Sequence, residues 1–337
     1  MAFVVSRKKK ALGGLAVTAL TVPVALAVSA TSSSAATITV AADGSGNYRT
    51  IQEALRKVSS ESTIKVKAGT YQGQVSIPSD KSGIVIVGAT GNPEDVVITG
   101  RKPQSASSAS GSATVLNMAK NTTIKAVTMA NTYGRGSQAL ALYAGGDRQV
   151  YDNVRLLGHQ DTLLSWTGNR KTRVRQYIHN SYIEGDVDFI YGNGTLVIDR
   201  STIYSLTRNS SNNGYITAAS TYSDNTYGIL INRSTLTGNA SAGSVALGRC
   251  WHAGGAAEAK GQVLVRDSKL GGHIRQKSAW QDMSGFSWKT CRFTEYQNSG
   301  TGRSSGTSDR PLMSASNAAK YTPQKYLAGS DSWNPVK

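Results

Sequence analysis

The sequence predicts an all-β fold, a parallel β-helix with an N-terminal capping helix and a C-terminal tail packed along its side. Three observations predict it. A phrase recurs through the body of the chain as VYDNVRLLG (150–158), YIHNSYIEG (177–185), LVIDRSTIYS (196–205), LINRSTLTG (230–238) and VLVRDSKLGG (263–272), with TIKAVTMAN (123–131) a looser copy. Each copy is an apolar β stretch, a polar turn containing Asp or Asn, and a second short β stretch ending near Gly or Ser. The first three of these copies end 27 and then 20 residues apart. Irregular repeats near two dozen residues, made of short strands and variable loops, suit coils that stack to share a core. The third observation is the scarcity of helical periodicity, for which TIQEALRKV (50–58) is the one convincing segment. An antiparallel sandwich would account for the strands, but not for the repeated turn.

Along the chain, RKKK (Arg7 to Lys10) precedes an apolar, alanine-rich run to about Ala30 and the small-residue tract TSSSAAT. This is the layout of a secretory leader, which divides the chain into a removed segment, 1–36, and a single β-helix domain, 37–337. Pro23 and Ser29 interrupt the run, which argues against a membrane anchor. The protein is then secreted and extracellular, without membrane attachment after cleavage, and is expected to be a monomer. In TIQEALRKV, Ile51, Ala54, Leu55 and Val58 fall at helical spacing and would close the open N-terminal end of the stack. From SGTGRSSGTSDR (299–310) onward the chain is rich in Gly and Ser and reads as an extended wrap.

The formal charge is +17, or +13 without the leader's Arg7, Lys8, Lys9 and Lys10. Outside the cell, an acidic polysaccharide suits such a surface better than nucleic acid does. Cys250 and Cys291 fit an oxidising compartment and would tie together a loop of about forty residues, with a buried free cysteine beside Trp251 as the alternative. His159, His179, His252 and His273 show no metal-ligand spacing, so neither a metal nor a cofactor is expected.

The chemistry-bearing stretch is YIEGDVDFIYGNG (182–194), where Asp186 and Asp188 stand in an apolar run. Burying a charge is costly unless it is compensated. In a parallel stack, equivalent side chains on neighbouring coils lie about 4.8 Å apart, so partners are sought one or two coils away. GHQDTLLSW (158–166) supplies Gln160 and Asp161 from the earlier coil, and ALGRCW (246–251) supplies Arg249 and Trp251 from about two coils later. Two carboxylates, an arginine and an amide make a nucleophile and acid/base set. The plainer alternative is a structural Asp161–Arg249 ion pair. Asp186 reads as a surface or turn residue, and Trp166, Trp251 and Trp280 as either core aromatics or sugar platforms. GRSSG (302–306) matches the serine-hydrolase pattern but lacks the strand and helix that would make it a nucleophile elbow.

Taken together, DGSGNYRTIQEAL (43–55), AGTYQGQVSI (68–77), SQALALY (137–143), GHQDTLL, GDVDFIYGNG, LGRCW and TEYQNSGTG (294–302) resemble the successive signatures of the pectinesterases, the pectin methylesterase family of carbohydrate esterases. The resemblance runs in order over nearly the whole mature chain. It implies a right-handed parallel β-helix that releases methanol from methyl-esterified homogalacturonan (pectin) without a metal. Carried over by position, Asp188 would be the nucleophile and Asp161 the general acid and then base. Gln138 and Gln160 would donate to the oxyanion, and Arg249 would hold Asp188 ionised. Trp251, with Tyr191, Trp280 and Met283, would bind the sugar. Two positions depart from the family pattern: Cys250 replaces the usual proline, and Tyr191 a common phenylalanine.

Elementary chemistry supports these roles. Asp188 attacks only when ionised, which an adjacent guanidinium favours. Asp161 must start protonated, which burial and a neighbouring like charge favour. Neutral amides suit an oxyanion. A calcium-dependent lyase on the same fold finds too few carboxylates in GDVDFI for a calcium cage. A non-catalytic polyanion binder would leave Asp161, Asp188, Gln138, Gln160 and Arg249 without a purpose, and a thioesterase-like role fits poorly with export.

Overall fold

The computed structural model describes residues 35–337, so nearly all of the leader read over 1–36 lies outside the described residues. The described chain winds through three sheets in turn. One has ten strands, from Thr37–Val40 to Arg292–Tyr296, and the others have eight each, from Gly69–Gln72 to Lys269–Leu270 and from Val75–Ile77 to Trp280–Gln281. Neighbouring strands in a sheet come from successive coils and pair in parallel, as Ile178 with Ile198 and Ile198 with Ile231. The result is a right-handed parallel β-helix, which excludes the antiparallel sandwich.

The repeated phrase encodes the turn between two sheets. Asn153, Asn180, Arg200, Arg233 and Asp267 each follow a strand of the ten-stranded sheet and adopt left-handed φ between 46° and 52°, a conformation that Asn and Asp tolerate best. Each donates its backbone N–H to the carbonyl ending the next coil's strand, as Asn153 does to His179 and Asp267 to Tyr296. The serine that follows forms a second ladder: Ser181 N donates to Ser201 Oγ, Ser201 N to Ser234 Oγ and Ser234 N to Ser268 Oγ, all at 3.0–3.1 Å. The turn thus satisfies its own buried donors, and this explains why the phrase recurs although loop lengths vary.

Inside the stack, Ile64, Ile86, Ile124, Tyr151, Ile178, Ile198, Ile231 and Val265 occupy one register row and are fully buried. Each is worth about 1.5–3 kcal/mol of burial. The helix Ile51–Lys57 covers the N-terminal end with Ile51, Ala54 and Leu55, and its start is fixed by a reciprocal Thr50–Glu53 capping box. At the C-terminal end the core row terminates in Glu295, in register with Val265. Arg310 arrives from the Gly/Ser tract to meet it, Nε–Oε1 2.8 Å and Nη2–Oε2 2.7 Å, both groups fully buried.

Beyond that ion pair the tail lies along the side as predicted, yet it is not wholly extended. Helices Ala315–Ala318 and Pro323–Ala328 interrupt it, and Tyr326 and Leu327 pack on Tyr177, Val197, Leu230 and Leu264 of the ten-stranded sheet. Segments of four and six residues are too short for periodicity to register. The local signal is Thr322–Pro323, a capping side chain followed by proline in the first turn.

Candidate active site

Asp161, Asp188 and Arg249 come together on the outer face of the third sheet. Asp161 precedes the strand Leu163–Ser165, Asp188 lies in Val187–Gly192 on the next coil, and Arg249 in Val245–Cys250 two coils further. The pairing between Val187–Gly192 and Gly214–Ala219 is irregular between Val187 and Ile190. Asp188 sits within that irregularity at φ 49°, and Asp161 takes φ 68° in its loop. Both acids thus occupy a sparsely populated backbone region, an arrangement common where side chains are aimed at a site. Asp161 is held by its N–H to Val187 O at 3.0 Å.

Arg249 hydrogen-bonds Asp188 from two nitrogens: Nε lies 2.8 and 3.1 Å from the two carboxylate oxygens, and Nη2 meets Oδ2. Its guanidinium also stands over the Tyr215 ring at 4.3 Å. The arginine therefore pairs with Asp188, not with Asp161, and the Asp161–Arg249 ion pair is replaced by a different geometry. Burial pushes the Asp188 carboxyl above its ordinary range overall, although the hydrogen bonds and charge of Arg249 pull it back toward ionisation. Asp161 has no such cation bonded to it. Burial, then the charge of Asp188, pushes it up to about 8, against a hydrogen bond from Tyr191 and the more distant Arg249. Of the two acids, only Asp188 is bonded to a cation.

These groups open on a cleft of about 510 Å³ lined also by Gln138, Gln160, Tyr191, Trp251 and Met283. The Gln138 and Gln160 loops are joined, since Ala139 N donates to Gln160 O at 3.1 Å. Both glutamines are half-buried and line the cleft. Trp251 packs between Trp166 at 5.7 Å and Tyr191 at 5.6 Å, centroid to centroid. The cleft also takes in Gln104, Tyr143, Leu164 and Tyr222, none of which was singled out from the sequence. Tyr143 follows the alternating run ALAL, which was its one available signal.

Two readings are corrected. Trp280 does not bind sugar: it is 1% exposed, 4.8 Å from the Phe293 ring, and packed in the core of the stack. Its side chain points inward because Trp280 is in register with Gly248, one position before the Arg249–Gln281 pair. Asp186 is a turn residue, at the bend between the strands Tyr182–Gly185 and Val187–Gly192, but not a surface one: it is 2% exposed, with His159 Nδ1 at 2.9 Å and Arg135 Nε at 3.4 Å from its Oδ2. The irregular pairing just after Val187 separates its surroundings from those of Asp188.

Cys250 and Cys291 form a disulfide across 41 residues, fastening the arginine strand to the segment before Arg292–Tyr296. No free cysteine remains among the described residues. Cys250, His252 and Cys291 cluster closely, yet with the sulfurs bonded to each other they do not present thiolates to a metal. In GRSSG, the Ser304 hydroxyl donates to Arg310 O at 2.7 Å and accepts from Gly306 N at 3.0 Å, so it serves a turn.

A sequence model of the family described as Pectinesterase matches residues 37–330. A pectinesterase from Ralstonia solanacearum is 35% identical over 324 residues, covering 82% of each chain. Among solved structures, pectin methylesterase PemA from Erwinia chrysanthemi superposes with a TM-score of 0.77 at 26% identity, covering 91% of this chain and 99% of its own. Pectin methylesterase from carrot gives 0.75 at 28% identity, covering 89% and 97%.

Proposed function

The chain belongs to the pectinesterase family of carboxylic ester hydrolases, and from that premise we propose that Asp188 is its nucleophile and Asp161 its general acid and base. The observation that carries this reading is the asymmetry of the two acids. Arg249 is bonded to Asp188 alone, whereas Asp161 holds its proton up to about 8. In the proposed cycle Arg249 offsets the burial of Asp188 and favours its anion, while Asp161 starts as the acid, within a single cleft.

The substrate is pectin, and a related pectin methylesterase has been solved with a hexasaccharide bound. An Asp188 oxygen attacks the methyl-ester carbonyl carbon, and the resulting oxyanion takes hydrogen bonds from Gln138 and Gln160. Collapse breaks the bond to the methoxy group as Asp161 delivers its proton, so methanol departs neutral. The sugar carboxyl is now joined to Asp188 as an anhydride. Asp161, ionised, takes a proton from water, whose oxygen attacks the same carbon and releases the sugar carboxylate and Asp188. Trp251, Met283 and Tyr191 form the wall against which the sugar rings lie. The leader pattern supports secretion, the net positive charge supports attraction of polygalacturonate, and the enzyme works as a monomer.

Methanol release from methylated pectin tests the reading. Asp188→Asn should abolish it with the thermal midpoint retained, because the change keeps the shape and removes the nucleophile. A folded variant within tenfold of the parent would overturn the assignment. With the parent enzyme, kcat/KM should fall above about pH 8 as Asp161 loses its proton.

A further inference from the structure

Asp186 is buried close to the two acids of the cleft without lining it, and the proposed cycle makes no use of it. It stands two residues before Asp188, and its partner His159 stands two residues before Asp161. His159 Nδ1 lies 2.9 Å from Asp186 Oδ2, and because a carboxylate only accepts, this ring nitrogen carries the hydrogen. Arg135, three residues before Gln138, brings Nε to 3.4 Å from the same oxygen and donates from Nη2 to Thr207 O. A row of polar groups from four successive coils thus runs beside the row that forms the cleft.

The backbone reinforces this row. Asp186 N donates to His159 O, and Asp186 O accepts from Tyr215 N, both at 3.2 Å. Tyr215 carries the ring under the Arg249 guanidinium. Gly214 permits the close approach, since a Cβ there would come within 1.9 Å of Asp186 O. Asp186 is therefore tied to the coil of Asp161 on one side and to the coil that supports Arg249 on the other.

We infer that His159 and Asp186 are positioning residues, a brace that holds the Asp161 bend and the Asp188 strand at a fixed separation. This rests on the proposed roles of Asp161 and Asp188. Both acids have left-handed backbones, φ 68° and 49°, which persist only where the surroundings over-determine them. The buried Asp186 charge supplies such a constraint, because it needs partners and finds them in His159 and Arg135 on the two preceding coils. Sliding the Asp161 bend along the Asp188 strand breaks the bond to His159 and leaves the carboxylate short of a partner. In the proposed cycle the proton of Asp161 goes to the methoxy oxygen of the same ester that Asp188 attacks. The separation of the two acids therefore bears on kcat. Trp251 and Met283 lie on later segments of the chain and do not touch the brace, so KM is spared.

Asp186→Ala removes the brace. His159→Leu removes its donor at a partly exposed position, with less risk to the fold, and His159→Asn returns a donor nitrogen bonded to the same Cγ. Initial rates on methylated pectin give kcat and KM, and thermal midpoints report the folded state. Asp186→Ala and His159→Leu should each lower kcat about ten- to hundredfold, the scale of a displacement of about 1 Å, with KM within about threefold of the parent. His159→Asn should return kcat to within about threefold of the parent. The double variant should be no slower than Asp186→Ala alone, because the two residues act as one unit. Folded single variants that keep the parent's kcat would make the pair a stability element only and overturn the inference, as would a His159→Asn variant as slow as His159→Leu. Asp161→Asn and Asp188→Asn, measured in parallel, separate the two levels. If either keeps the parent's rate, the assignment of the acids fails and the brace with it. If both lose it while Asp186→Ala does not, only the brace fails.

Discussion

Asp161→Asn should stabilise the protein while it disables it, and the gain should depend on pH. In the folded chain Asp161 titrates near 8, against 3.8 for the ordinary group. Between those values the folded state binds the proton that the unfolded state has released, so stability falls as pH rises through that window and levels off above it. A displacement of that size corresponds to a ceiling of about 6 kcal/mol at pH 8. Water entry from the cleft and relaxation around Asp188 soften this, and ~2–3 kcal/mol is the gain to expect. Asparagine cannot ionise, so the penalty disappears with it. The assay is thermal or urea unfolding of parent and variant at pH 4, 6 and 8, with methanol release measured on the same preparations. The variant's advantage should be near zero at pH 4 and reach about 4–6 °C at pH 8. Any constant cost of burying the amide shifts all three points equally, so the slope is diagnostic. An advantage that is equal at pH 4 and pH 8 would refute the claim that Asp161 is held protonated by the fold.

Arg249→Lys should reduce kcat at least a hundredfold with the fold retained, because an ammonium cannot reproduce the two-nitrogen grip on Asp188; steady-state rates on methylated pectin check this. Replacing Cys250 and Cys291 together by serine should cost about 4 kcal/mol in denaturant unfolding, from the 41-residue separation they span, and should also lower activity, because Cys250 adjoins Arg249. Glu295→Ala leaves Arg310 buried without its partner and should cost about 3–5 kcal/mol, whereas Glu295→Leu with Arg310→Met should recover most of that loss. Trp280→Ala should destabilise by about 3–5 kcal/mol without changing KM in the folded fraction, while Trp251→Ala should raise KM at little cost to stability, a contrast that unfolding curves and KM measurements would expose.

The β-helix was legible because its turn chemistry repeats. Asn153, Asn180 and Asp267 belong to a left-handed turn that each coil needs, and the serine ladder marks the same place. The acids were legible because charge in an apolar run requires a partner. What escaped depends on facing, which a two-residue period assigns only while a strand is regular. Asp186 stands at the bend before the strand Val187–Gly192 and Asp188 within it, so Asp186 is the turn residue the sequence suggested, and what escaped was its burial against His159. Trp280 lies in a strand of two residues, Trp280–Gln281, too short to declare its inward face.

The order of the coils explains why one acid is bonded to the arginine and the other is not. Asp161, Asp188 and Arg249 sit on coils one, two and four of this stretch, with the strand Gly214–Ala219 between the second acid and the arginine. Successive coils are about 4.8 Å apart, so Arg249 starts about 10 Å from the Asp188 coil and about 14 Å from that of Asp161. An extended arginine side chain reaches roughly 7 Å, enough to cross the Tyr215 ring and meet a carboxylate leaning toward it from a disrupted strand, but not enough to meet the next. The selective grip on Asp188 thus follows from the length of one side chain measured against the spacing of a sheet. Ala218 pairs with Arg249 one coil nearer to the acids. A guanidinium placed there would face both carboxyls and favour ionising both, and no proton would remain for the departing methanol.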